Sequence, residues 1–371
     1  MIKILVAGDY CPQNRVAALF ERDDYAPFFS DVKNVIEDVD YSIVNLECPV
    51  TKGDEKSIVK YGANLQCSEK GIEALQWAGV NCVTLANNHF LDYGEEGVEN
   101  TLETCRKYEI DVVGGGRNYQ EASNILYKEL GGKLLAIINC CEHEFSIATE
   151  KTAGSNPLNP IQQYYAIKKA KEKADYVLVI VHGGHEYYPL PSPRMQETYR
   201  FFVDAGADGI VNHHQHCYSG YEVYKGKPIF YGLGNFCFDN GLEMNMKWSE
   251  GYMVIFKMDD TISFEIIPYR QCYDLANVRL LDKASFNKEL NKLHAIINDP
   301  NQLKESVEQY YESCSLDYSD ILEPCYNKYY LACKSRGWLP SLISKARKVR
   351  SANYICCESH RDKLIYYLSH K

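Results

Sequence analysis

The stretch Thr84-Leu85-Ala86-Asn87-Asn88-His89-Phe90-Leu91-Asp92-Tyr93-Gly94 decides how this chain is read. It closes a mostly apolar run, Val80 to Ala86, that predicts a buried strand, and Gly94 opens a helix. Between strand and helix stand two amides, an imidazole and a carboxylate. Apolar residues drive the strand into a core, where Asn-Asn-His gains nothing unless it is bound to something. Ligands of α/β proteins sit at the carboxyl ends of strands. The turn therefore reads as one wall of a metal centre that other strand ends complete.

Outward from this turn, the same grammar repeats. Ile2 to Ala7 predicts a strand ending at Gly8-Asp9. Ser42 to Leu46 predicts another, ending at Glu47-Cys48-Pro49, where the proline stops the element. A helix is expected from Pro27 to Val39, a polar surface loop over 52–66, helices over Glu69 to Trp77 and Gly94 to Tyr108, and a short strand over Ile110 to Val113. Leu134 to Asn139 begins a second half. There Tyr176 to Val181 ends at His182-Gly183-Gly184-His185-Glu186, and Gly209 to Val211 ends at Asn212-His213-His214-Gln215-His216. Helices are expected over Ile161 to Ala174 and Arg194 to Ala205. Pro228 to Tyr231 ends at Gly232-Leu233-Gly234-Asn235-Phe236, and Tyr252 to Lys257 with Ile262 to Ile267 read as paired strands. From about Asp274 no further strand is expected, and helical spacing runs through 285–371. That divides the chain into a domain over 1–273 and a helical C-terminal region over 274–371, in which Lys345, Arg347, Lys348 and Arg350 read as a solvated helix face.

The 371 residues suit one large α/β domain plus an appendage. A hydrophobic share of 46% and a charged share of 24% are those of a soluble globular protein. The net charge of −10 argues against a nucleic-acid binder, and disfavours a polyanionic substrate unless metal ions reverse the local field. No apolar run reaches the ~18–20 residues of a membrane helix, and Met1 to Ala7 is too short for a secretory signal. The fifteen cysteines include no C-x-x-C pair, and Cys140-Cys141 and Cys356-Cys357 are adjacent. They read as reduced thiols, which points to the cytoplasm.

Six of the ten histidines fall at the ends of three apolar strands: His89, then His182 and His185, then His213, His214 and His216. With Asp9 and Glu47 they offer a mixed N/O donor set that suits a divalent metal such as Mn²⁺, Zn²⁺ or Fe²⁺. Two such ions ~3.5–4 Å apart would polarise a phosphoryl oxygen and supply a nucleophile. His214 and His216, two apart in an extended segment, point to one side and can share a site, whereas His213 and His185 fall outside the ligand set. Asp92 is placed to hold His89 in one tautomer. Tyr187 and Tyr188, with the prolines of Pro189 to Pro193, read as a lip near the site.

Asn45-Leu46-Glu47-Cys48-Pro49, Leu85-Ala86-Asn87-Asn88-His89 with Asp92 and Gly94, His182 to Glu186, Asn212 to His216, and Tyr231 to Phe236 together resemble the CapA family. This is the family of capsule and poly-γ-glutamate synthesis proteins related to calcineurin-like metallophosphoesterases. The resemblance runs from about residue 2 to 240. It implies an α/β fold, a four-layer α-β-β-α sandwich of the metallophosphoesterase type. By the same resemblance Asp9 is the first metal carboxylate, Glu47 stands where the superfamily has a bridging Asp, and Asn88 is the amide ligand. His182 is the single His ligand, and His214 with His216 closes the set around one or two divalent ions. His89, Asp92 and Glu186 take the catalytic positions. Asn235 ends a strand on the same rim. Two departures stand out: Asp9-Tyr10-Cys11 has a thiol where the superfamily has a His, and Glu47 is one methylene longer than Asp. The resemblance implies a metal-dependent hydrolase acting on a small molecule or an anionic polymer; the alternative is a non-catalytic, metal-assisted binding or assembly component for such a polymer.

Overall fold

The computed structural model describes residues 1–241, 245–314 and 344–369, together with residues 329, 333, 336 and 338. In chain order the strands are β1 (Ile2–Cys11), β2 (Tyr41–Leu46), β3 (Cys82–Thr84), β4 (Asp111–Val113), β5 (Gly115–Gly116), β6 (Leu126–Leu130), β7 (Lys133–Cys141) and β8 (Gly154–Ser155). They continue as β9 (Tyr176–His182), β10 (Gly209–His213), β11 (Tyr221–Tyr224), β12 (Lys227–Phe230), β13 (Asn235–Phe238), β14 (Glu250–Met258), β15 (Ile262–Gln271) and β16 (Val278–Leu280). One sheet has the order β16-β15-β14-β1-β2-β3-β4, with β13 also on β1; the other has the order β11-β12-β10-β9-β7-β6. β1 to β4 are parallel and β14 to β16 antiparallel, while β7, β9, β10 and β12 form the parallel centre of the second sheet.

The layers follow from the two-residue period of strand side chains. Ile4 and Val6 of β1 meet Ile137, Leu178, Ile180 and Val211 of the second sheet, so one face of each sheet packs on the other. The alternate residues Leu5 and Ala7 face Val16, Phe20, Ile72 and Val98 from the outer helices. In the second sheet Val177, Val179 and Val181 face Ile167, Tyr199 and Phe202 of the helices Pro160–Lys171 and Pro193–Ala205. The result is the expected α-β-β-α sandwich. Strands that are apolar on both faces, such as Tyr176–His182, are those buried on both sides.

Two expectations are corrected. The segment Pro27 to Val39 is not one helix but two short ones, Ala26–Phe29 and Lys33–Glu37, because Ser30, Asp31 and Val32 turn between them. The region after Asp274 is not free of strands: β16 pairs antiparallel with β15, too short at three residues to show alternation in sequence. The C-terminal helices pack closely on the sandwich. Phe286 and Leu290 of helix Lys283–Ile297 enter the cluster between the sheets, and Leu303, Val307 and Tyr311 of helix Pro300–Ser313 enter the outer cluster of the second sheet. Helices Lys345–Cys356 and Glu358–Ser369 follow; the helical expectation for 315–343 lies, apart from the four isolated residues, outside the described residues. Lys345, Arg347 and Lys348 are exposed as expected, but Arg350 is half-buried over the rings of Tyr61 and Tyr354, at 5.0 and 5.2 Å. No helix among the described residues is long and apolar enough to cross a membrane.

Both sheets deliver their carboxyl ends to one place. Asp9 of β1 is in register with Asn45 of β2, and His182 of β9 with His213 of β10. The β1 ladder shifts register between Val6 and Asp9 and again between Asp9 and Tyr10. Such an irregularity re-aims a side chain. It is made possible by Gly8, where a Cβ would lie 1.9 Å from the carbonyl oxygen of Gly234.

Candidate metal centre

Asp9 leaves β1 buried, with its Oδ1 accepting from Asn45 Nδ2 at 2.8 Å and its Oδ2 from the His214 amide at 3.3 Å. His213 Nδ1 is 3.4 Å from Oδ1, and His216 Nδ1 is 3.8 Å from Oδ2. Across the site, His182 Nε2 is approached by Asn88 Oδ1 at 3.0 Å, His214 Nδ1 at 3.1 Å and Glu47 Oε1 at 3.7 Å. One ring nitrogen carries one proton or one lone pair, so it satisfies one of these three atoms by hydrogen bonding. Glu47 Oε1 also lies 3.5 Å from His216 Nε2.

Two donor groups emerge, Glu47 with His182 and His214, and Asp9 with Glu47 and His216; within each, one ligand atom per residue falls within 4.8 Å of the others. Glu47 belongs to both. Its side chain is wholly buried, and neither carboxylate oxygen has a hydrogen-bond partner among the described residues. A buried carboxylate is normally paired or on a metal, so the residues present fit a divalent cation. The electrostatics agree. Burial works against the Asp9 carboxylate, but the imidazoles of His213, His182 and His216 outweigh it and hold Asp9 well below the usual range. Burial, then the charge of Asp9, pushes Glu47 well above it. Burial, then His214, keeps His182 neutral with a lone pair to give.

The pairing of His214 with His216 has a different origin from the one the sequence suggests. The strand stops at His213, and both later histidines sit in turn conformations with φ of 96° and 55°. It is this left-handed backbone, not an extended segment, that brings both rings to the centre. Asn235 clamps the second: its Oδ1 is 3.0 Å from His216 Nδ1, and its Nδ2 donates to the His216 carbonyl at 3.2 Å.

His89 lies beside this centre with Nδ1 2.7 Å from Asp92 Oδ2, and burial lowers its pKa while Asp92 opposes that. Sequence reasoning missed the third member. Lys60, from the stretch expected to be a surface loop, has its side chain buried, ion-paired with Asp92 and 2.9 Å from His89 Nδ1. Asp92 Oδ2 also accepts from the Leu65 amide at 2.7 Å, so the 52–66 segment is a lid over the dyad. A lone lysine among polar residues carries no signal of this. Asn45 and Glu144 were likewise not assigned to the site: Asn45 lies inside the apolar strand β2 and Glu144 in the irregular segment after β7.

A cavity of about 690 Å³ opens over Asn88, His89, His214 and His216, with Glu186 exposed on its wall. Of the lip residues, Tyr187 stacks on Trp248 at 5.9 Å, whereas Tyr188 stacks on Tyr310 at 3.9 Å and belongs to the helical region's interface. His185 turns away from the donors, with Nε2 3.0 Å from the Tyr311 hydroxyl. Cys11 packs in the outer apolar cluster with Val16 and Phe20, and is in neither donor group.

Fold and site define a four-layer α/β protein with a buried carboxylate–amide–imidazole centre suited to a divalent cation. The chain belongs to the bacterial capsule synthesis protein family PGA_cap, whose model matches residues 3–240. It is 36% identical over 248 residues to the capsule biosynthesis protein CapA of Bacillus anthracis, covering 65% of this chain and 60% of that one. It is 33% identical over 237 residues to the PGA biosynthesis protein CapA of Bacillus subtilis (strain 168), covering 63% and 62%. The matches thus span about three-fifths of the length of these curated relatives. Among solved structures, the calcineurin-like phosphoesterase YfkN from Bacillus subtilis aligns at 12% identity and a TM-score of 0.42, over 82% of this chain and 98% of that one.

Proposed function

We propose that Asp9, Glu47, Asn88, His182, His214 and His216 hold one or two divalent ions, Mn²⁺, Fe²⁺ or Zn²⁺, and that the chain is a metal-dependent hydrolase. Its substrate on this reading is a phosphoester or an amide-linked anionic polymer, in keeping with the capsule and PGA biosynthesis named for its relatives. The observation that carries the reading is Glu47, buried, unpaired and common to both donor groups. Bound there, the cation would supply Lewis acidity toward a substrate oxygen and a lowered water pKa. The chain's own residues do the rest. Asp92, ion-paired with Lys60, fixes the His89 ring through Nδ1, leaving Nε2 to hold or give a proton at a leaving oxygen in the cavity. Glu186, on the cavity wall, meets substrate or orients it. The buried thiols, none of them bridged among the described residues, support a cytoplasmic setting.

A second reading rests on Cys11. With that side chain in the outer core, the Asp9 side of the centre has one protein ligand fewer than the superfamily pattern supplies. A centre so depleted would grip an anionic polymer through its cation without turnover. Metal content per chain is measured on parent, His214→Ala and Asp9→Asn, with p-nitrophenyl phosphate hydrolysis on the same samples. Stoichiometric Mn, Fe or Zn that falls in both variants, with activity falling alongside, supports the hydrolase. Metal without activity supports the binder, and no metal after reloading overturns both.

A further inference from the structure

We propose that Glu144, Cys357 and His360 form a second divalent-cation site, separate from the centre at the strand ends, that takes a borderline ion such as Zn²⁺ through thiolate, imidazole and carboxylate. One ligand atom from each of the three falls within 4.8 Å of the others, with His360 Nε2 3.5 Å from Glu144 Oε1. Bond lengths of about 2.0–2.3 Å put tetrahedral zinc ligands roughly 3.3–3.7 Å apart. The imidazole and carboxylate are already at that spacing, and the thiol lies within 4.8 Å of both. No donor is shared with Asp9, Glu47, His182, His214 or His216.

The local structure builds the trio from two distant parts of the chain. The segment after β7 turns Glu144 inward. Cys357 caps the helix Lys345–Cys356, its amide donating to the Asn353 carbonyl at 2.8 Å, and His360 sits in the first turn of the helix Glu358–Ser369. The neighbouring carboxylates have partners of their own. Glu142 is paired with Arg194 at 2.7 Å and accepts from the Ser359 amide and hydroxyl; Arg194 also holds Asp362 at 2.9 Å. Glu358 accepts from His143 at 2.7 Å. Glu144 accepts from the Asn353 amide at 2.9 Å and meets the His360 ring, and the Cys357 thiol also approaches Glu142 Oε2 at 3.8 Å. An independent sign is Asn353 itself. Its Nδ2 holds Glu144, while its Oδ1 is buried without a partner, as an acceptor for a water on a bound ion would be.

All three donors line the large cavity, so an ion has a route in and a fourth position open to solvent. Cys357 and His360 lie beyond the residues matched by the family model, so this site is a property of the chain's helical region. Its ion would pin the two last helices to the segment after β7 and close one wall of the cavity; the Cys357 proton is released to solvent on binding.

The test is Co²⁺ titration of the full chain after dialysis against chelator, following the near-ultraviolet thiolate-to-cobalt charge-transfer band that only a cysteine ligand gives. The parent is expected to show the band at one equivalent, Cys357→Ser to lose it, Glu144→Gln and His360→Ala to weaken Co²⁺ binding by about tenfold or more, and Cys11→Ser and His214→Ala to keep it. Circular dichroism checks folding; should Cys357→Ser not fold, the half-exposed His360 carries the test, its alanine variant losing one Zn²⁺ per chain. A parent without the band, a band surviving in Cys357→Ser, or a band lost in Cys11→Ser overturns the site. Because His214→Ala empties only the first centre, failure there and failure here are separate results.

Discussion

Glu47→Gln is expected to stabilise the protein in chelator and to lose most of the stabilisation that cation gives the parent. In the parent both Glu47 oxygens are buried without a hydrogen bond, the nearest cationic candidates being ring nitrogens at 3.5 and 3.7 Å. An orphaned buried polar group costs about 1–3 kcal/mol, and burial beside the Asp9 charge disfavours the ionised form of Glu47. Glutamine keeps the shape, has no ionised form to bury and brings N–H donors toward the Asp9 carboxylate. The cation-free variant should therefore gain about 1–3 kcal/mol. With an unfolding entropy of roughly 2.1 cal/mol/K per residue, 371 residues give about 0.8 kcal/mol/K. The gain is then about 1–4 °C in Tm. Cation at a hundred times its Kd stabilises the parent by about 2.7 kcal/mol, or roughly 3–4 °C, and the variant loses most of that. Calorimetry of both proteins in EDTA and in Mn²⁺ or Zn²⁺ reads both effects. A variant less stable than parent in EDTA, or one with an undiminished cation response, refutes the idea that Glu47 is held in place for an ion.

Lys60→Met leaves Asp92 charged, buried and without its cation, and should cost about 3–5 kcal/mol in urea unfolding. Adding Asp92→Asn should return part of the loss, and strict additivity of the two would show that the pair is not coupled. Gly8→Ala puts a methyl 1.9 Å from the Gly234 carbonyl, so it should lose at least ~2 kcal/mol and lower cation content by displacing Asp9; unchanged content would mean that the shift in the β1 ladder does not aim Asp9. Glu265, which takes hydrogen bonds and charge from Lys283 and then Lys257, is held down at about 2. A depressed carboxyl stabilises the fold above its unfolded pKa, near 4.5, and that stability is lost as pH falls through the folded value. Since the side chain is over a third exposed, Glu265→Gln should cost about 0.5–1 kcal/mol at pH 7. The difference from parent should shrink as pH drops from about 4.5 toward 2, and a pH-independent difference would remove the ion pairs from its cause.

The strand ends were legible because burial and chemistry conflict there. Val177 to Val181 must be in a core, so the polar run beginning at His182 has to be at its edge. The same reasoning found Asp9, Glu47, Asn88 and His89. What escaped was whatever depends on backbone turns or on single residues brought from afar. Lys60 looks like any loop lysine until the 52–66 segment folds over His89, and Glu144 until the last two helices arrive. The two short helices in place of one between Ala26 and Glu37, and the three-residue β16, fall below the length at which periodicity speaks.

His214 and His216 add backbone strain to the electrostatic burden of the centre. Left-handed φ at a non-glycine residue costs of order 1–3 kcal/mol and persists only where the surroundings impose it. Here they do: Asp9 takes the His214 amide, and Asn235 holds both the ring and the carbonyl of His216. Asp9 is in turn aimed by a ladder shift that Gly8 permits, and Asn235 begins the strand that pairs with β1 at that shift. Strain at two histidines, an unpaired Glu47 and two acids near each other therefore share one small volume, while the surrounding sandwich is conventionally packed. A ligand that accepts lone pairs relieves the electrostatic part of that burden at once, and the strained backbone means that the rings need not be reorganised to receive it.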